Sequence, residues 1–99
     1  MSNDNSDILE RLYAVIESRQ GADASSSYSA KLFAAGLPEI ARKVGEEAVE
    51  TITAALSGEG DVTAESADLL YHLLVLWAAA GIKPEDVWTE LARREGTSG

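Results

Sequence analysis

The chain contains no cysteine, so disulfides and thiolate-bound metals are both excluded from its chemistry. Two prolines and a hydrophobic fraction of 45% argue against a disordered tail. No apolar run approaches the roughly 20 residues that span a bilayer; the longest, 73–82, stops far short. The opening MSNDNSDILE lacks the basic and apolar segments of a secretory signal. A basic stripe is also missing, and the net charge of −9 repels nucleic-acid phosphates and anionic lipid. What is left is one domain of 99 residues, expected in the cytoplasm and without a nucleic-acid or membrane partner.

Alanine, leucine and glutamate dominate and β-branched runs are absent, so the fold class is all-α. Ser6 is placed as the cap of a first helix in which Ile8, Leu12, Val15 and Ile16 recur at helical spacing, ending near Arg19. The small, polar segment 21–27 reads as a free loop. A short helix follows from Tyr28 to Ala35, stopped at Gly36. Pro38 opens a third helix running to Ser57, with Ile40, Val44, Ala48, Ile52 and Leu56 expected on one face. Gly58 to Gly60 reverse the chain, Asp61 or Thr63 caps a fourth helix ending at Gly81, and Pro84 opens a fifth. The architecture expected is a bundle of about five helices around a central antiparallel hairpin. Residues 1–6 and 96–99 are expected to be disordered.

The fourth helix carries apolar residues on every face through LLYHLLVLWAAAGI. A helix apolar all round is buried all round, and four neighbours in so short a chain cannot cover it. Its spare face is therefore expected to pack on a second copy in a homodimer or larger homo-oligomer. Trp77 and Trp88 read as core or interface anchors.

Five of the 17 acids stand in two clusters, Glu46, Glu47 and Glu50, then Glu65 and Asp68. Glu47 with Glu50, and Glu65 with Asp68, are pairs three residues apart, which are neighbours on one helix face. At about 1.5 Å rise per residue, antiparallel helices bring the two pairs to nearly the same height, facing one another across a groove. Such acids either turn outward to water or gather around a multivalent cation. A donor set of oxygen alone suits magnesium or manganese rather than zinc or copper.

The pattern of Glu46, Glu47 and Glu50 followed by Glu65 and Asp68 resembles the MazG-like all-α nucleotide pyrophosphohydrolases. The text from Lys43 to Ala48, from Ala67 to Leu74, and from Ser27 to Leu32 is similar to one family among them, the phosphoribosyl-ATP pyrophosphatases. The likeness covers about residues 7 to 95. It implies magnesium-dependent hydrolysis of phosphoribosyl-ATP to phosphoribosyl-AMP and pyrophosphate, the second step of histidine biosynthesis, by a homo-oligomer. It implies Glu47, Glu50, Glu65 and Asp68 as metal ligands, with manganese as a possible substitute ion. Glu46 and Glu47 are the candidate catalytic acids, Glu46 to orient or deprotonate water or to bind metal from another angle. Lys43 and Lys31 are candidates to hold phosphate, and His72 to bond an Asp68 oxygen or touch substrate. A chain without cysteine is expected to supply only this step, not the zinc-dependent cyclohydrolase step to which some relatives are fused. Two alternatives remain: a house-cleaning triphosphate pyrophosphohydrolase of the same fold, and a non-catalytic acidic helical dimer.

Overall fold

The computed structural model describes residues 4–98, the last without its side chain, and residues 1–3 and 99 of the segments expected to be disordered lie outside that range. Five helices appear in order: α1 (Ile8–Ser18), α2 (Tyr28–Ala35), α3 (Leu37–Ser57), α4 (Val62–Ala80) and α5 (Pro84–Ser98). Among the described residues there is no strand, and the fold is all-α as expected.

Local chemistry sets most boundaries. The Ser27 hydroxyl accepts the Ala30 N–H at 3.0 Å and starts α2. Asp61 does the same for α4, accepting from Ala64 at 2.9 Å. Between α3 and α4, Gly58 takes the left-handed conformation at φ 71°. A Cβ on Gly60 would stand 2.5 Å from that of Ala54, so a side chain there would force the reversal open.

Two local expectations need correction. Asp7, not Ser6, occupies the α1 cap position, and its carboxylate makes no cap bond because it takes the Arg11 guanidinium at 3.0 Å. The 21–27 loop is less free than its composition suggests: the Asp23 carboxylate accepts from the Ser25 N–H and hydroxyl, and the Asp23 carbonyl accepts from Ser26. The last helix, α5, runs to Ser98. No left-handed turn forms at Gly96, and the Thr97 hydroxyl donates back to the Arg94 carbonyl.

The core gathers Tyr13 and Ile16 of α1, Leu32 of α2, Ile40 of α3, and Leu74, Val75 and Ala78 of α4. The Tyr13 hydroxyl donates to the Ile82 carbonyl at 2.8 Å, and the Gln20 amide to Ala78 at 3.0 Å, tying α1 and its exit to the end of α4. Trp77 and Trp88 meet edge to face with centroids 5.9 Å apart, and the Trp88 N–H donates to Glu10, joining α5 to α1.

The buried face of α3 differs from the expected one. Ile40 is fully buried, but Ile52 is 57% and Leu56 83% exposed, while Glu47 and Ala54 are buried. Four-residue steps advance by about 400°, drifting some 40° each time, so Leu56 lies roughly 160° around the helix from Ile40. The face that meets α4 is instead Ile40, Val44, Glu47, Thr51 and Ala54, at the alternating spacing of a packed helix pair. Val49, Ile52 and Leu56 form an outward apolar stripe.

Candidate metal centre and its flanking cleft

The α3–α4 hairpin places the acids. Carboxylate oxygens of Glu47, Glu65 and Asp68 lie within 4.8 Å of one another, Glu47 buried, Glu65 half-buried and Asp68 exposed. Oxygens on opposite sides of one magnesium stand about 4.2 Å apart, so small rotations of exposed carboxylates would close the set around an ion. Glu50 is not one of the three, but it shares a hydrogen bond with Glu47. Burial, then that bond and the Glu50 charge, push the Glu47 carboxyl above its ordinary range, while His72 acts the other way. A buried acid among acids is the environment that a divalent cation relieves, and the all-oxygen donor set fits a hard one.

Thr51 ties the two helices at this level. Its hydroxyl lies 2.8 Å from the Glu47 carbonyl and 3.2 Å from the Glu65 carbonyl, so one side chain meets the backbones of both acid-bearing segments. The small side chain fits the helix contact because Ala54, one turn on, also lets α4 approach closely.

His72 is buried one turn after Asp68. Its Nδ1 lies 2.7 Å from the Asp68 main-chain carbonyl, to which it donates, and its Nε2 pairs with the Tyr28 hydroxyl at 2.9 Å. It therefore bonds the backbone of Asp68 rather than its carboxylate. Tyr28 stacks on Tyr71 at 6.0 Å, and both rings meet His72 edge-on. The Tyr71 hydroxyl pairs with Ser29. These aromatics form the wall between the acids and α2.

Glu46 points elsewhere. One of its oxygens takes Lys43 at 2.7 Å and the other takes Arg42 at 3.1 Å. The Lys43 bond above all, then Arg42, hold its carboxyl below the ordinary range. Arg42 also forks onto Glu39 with bonds of 2.9 and 2.8 Å. Lys43 thus bridges to Glu46 rather than to Glu47. Lys31 faces Arg42 and Lys43 across a cleft between α2 and α3 of about 190 Å³. The hairpin brings together Glu47, Glu65 and Asp68, with Glu50 joined to Glu47 and Glu46 turned to Lys43 and Arg42; Lys43 and Lys31 line the cleft, and His72 is buried against the Asp68 backbone.

Two residues of the site escaped singling out in the sequence. Tyr28 lies inside the text that carries the family resemblance, and that was its only signal. Thr51, one turn after Glu47, looks like any helix threonine until the second helix is placed.

A five-helix all-α chain with facing carboxylates on its central hairpin is of the MazG-like class. Residues 9–95 match the family model described as phosphoribosyl-ATP pyrophosphohydrolase, and the chain belongs to that family. It is 64% identical over 96 residues to the phosphoribosyl-ATP pyrophosphatase of Paramagnetospirillum magneticum, covering 96% of this chain and 88% of that protein. It is 63% identical over 92 residues to that of Parvibaculum lavamentivorans, covering 92% and 84%. The corresponding figures for the enzyme of Azospirillum brasilense are 59% over 93 residues, 93% and 84%.

Proposed function

We infer that this chain hydrolyses phosphoribosyl-ATP to phosphoribosyl-AMP and pyrophosphate in histidine biosynthesis, using magnesium, with manganese as a substitute. The observation that carries the reading is the convergence of Glu47, Glu65 and Asp68 in a chain of this family. Water adds at phosphorus, the α–β anhydride bond breaks with its electron pair leaving on pyrophosphate, and the water's proton must be taken up. When bound, the cation neutralises phosphate oxygens, polarises the attacked phosphorus and makes water a stronger acid.

The protein's own groups divide the remaining work. Glu47, Glu65 and Asp68, with Glu50 beside them, hold the cation. Of the two acids expected to manage the water, Glu47 fits better, because it stands in the cluster while Glu46 is turned to Lys43 and Arg42. Glu46, held low by two cations, aims Lys43 and Arg42 toward phosphate. The Tyr28–His72–Asp68 chain of hydrogen bonds fixes the wall against which substrate lies. A biosynthetic role fits a cytoplasmic setting, and no helix among the described residues is long and apolar enough to cross a membrane.

The working form is a homo-oligomer. The chain exposes 6544 Å², against roughly 5400 Å² for a compact monomer of this mass. Its radius of gyration is 15.0 Å, against about 13 Å for a compact chain of this length. Val49, Ile52 and Leu56 supply an apolar face for a second copy.

Pyrophosphate release from phosphoribosyl-ATP, with and without magnesium and beside a panel of ordinary and damaged triphosphates, tests the reading. Magnesium-dependent release from phosphoribosyl-ATP alone supports it. Release only from other triphosphates would move the enzyme to the house-cleaning class.

A further inference from the structure

Phosphoribosyl-ATP differs from ATP by a second phosphate, a monoester on the added ribosyl group, at a distance from the triphosphate. The acid cluster cannot recognise that group, since carboxylates repel it and the cation is engaged with the reacting phosphates. An enzyme that selects this substrate needs a second anion site built from protein cations.

The cleft between α2 and the first half of α3 has that character. Lys31, Arg42 and Lys43, three of the chain's eight basic residues, line it in a protein of net charge −9. The acids beside it, Glu39 and Glu46, are two against three, and Lys31 has no acidic partner among the described residues. Glu39 and Glu46 grip Arg42 from both sides, so the guanidinium is already held in one orientation before substrate arrives. Tyr28 joins this cleft to the acids: its ring lines the cleft and its hydroxyl is bound to His72, which is bound in turn to Asp68. Lys43 stands one turn before Glu47, so the cleft begins about 6 Å along α3 from the buried acid.

We propose that the Lys31–Arg42 end of this cleft binds the ribosyl phosphate of phosphoribosyl-ATP and so selects this substrate over ATP, while Lys43, nearer the acids, faces the triphosphate. The proposal rests on the phosphoribosyl-ATP reading above and specifies which end of the substrate each cation meets.

The test is steady-state kinetics of Lys31→Ala and Arg42→Gln, with ribose 5-phosphate as a competitive probe. Loss of one charge-assisted hydrogen bond should raise KM for phosphoribosyl-ATP about tenfold to a hundredfold. The inhibition constant of ribose 5-phosphate should rise by a similar factor, with kcat within about twofold and the magnesium requirement unchanged. Lys31→Arg should recover much of the loss. Lys31 is exposed and makes no ion pair among the described residues, so its variant should fold normally even if Arg42→Gln does not. An unchanged KM, or a wild-type enzyme indifferent to ribose 5-phosphate, would overturn the proposal. So would a joint fall in kcat and magnesium affinity, which would place these cations on the triphosphate. If the wild type releases no pyrophosphate from phosphoribosyl-ATP, the function itself fails; if it does and the variants match it, only the cleft assignment fails.

Discussion

Each of the two long faces of α3 carries an exception to the usual rule. The face turned into the protein carries a carboxylate, Glu47, and a hydroxyl, Thr51, while the face turned outward carries Val49, Ile52 and Leu56. Burying an acid costs free energy unless it is paired or bound to metal, and exposing three aliphatic side chains forgoes their burial. Both departures make sense once a cation sits on the inner face and a second copy on the outer. On the proposed reading, the cation and the second copy would take opposite sides of one helix.

The largest effect is expected from removing the inner acid. Glu47→Gln should lower pyrophosphate release by about a thousandfold, the scale on which one preorganised electrostatic group acts. It should also abolish the thermal stabilisation by magnesium, expected for the wild type to be about 2.7 kcal/mol at a hundredfold excess over the dissociation constant. A variant that keeps that stabilisation would remove Glu47 from the ligand set.

Next comes the outer stripe. Ile52→Glu with Leu56→Glu should weaken self-association by at least about a hundredfold, since each aliphatic side chain is worth roughly 1.5–3 kcal/mol when buried. Sedimentation should then show a monomer. Unchanged association would place the second copy elsewhere.

Acidity separates the faces again. In chelator, the Glu47 carboxyl has an ordinary value of 4.5 when unfolded and a higher one when folded. Folding thus favours its protonated form, so this contribution is complete below about 4.5 and is lost as pH rises through the raised value. Metal-free wild type should lose stability across that window relative to Glu47→Gln, and a flat difference in melting temperature would contradict the burial of the charge.

The smallest effect belongs to Thr51. Thr51→Val keeps the shape but removes the hydroxyl shared by the Glu47 and Glu65 carbonyls, and should cost about 1 kcal/mol. It should also weaken magnesium binding, and Thr51→Ser should restore both. Lost stability with unchanged metal affinity would make the contact purely structural.

Much of this was legible in the sequence because the signals are local. Gly36, Pro38, Asp61, Gly81 and Pro84 act on the backbone within one turn, and the helices they bound stand where those residues place them. The facing acid pairs follow from helical spacing and a short reversal. The inner face of α3 did not follow, because apolar residues mark both the buried and the outward stripe, and choosing the more apolar one chose the wrong side. Nor was the bond from His72 to a backbone carbonyl visible, since side-chain spacing says nothing about which oxygen is met. Tyr28 and Thr51 act across elements far apart in the chain, a relation that no local pattern encodes.

The two tryptophans have a practical consequence. Both stand at the junction of α4 with α5, and Trp88 is anchored to α1. Trp77 lies nine residues beyond Asp68, some 13 Å along the same helix. Intrinsic fluorescence therefore watches the end of the bundle away from the acids. The chain carries its own optical gauge of integrity at that end, against which any loss of turnover can be judged as chemical or as collapse.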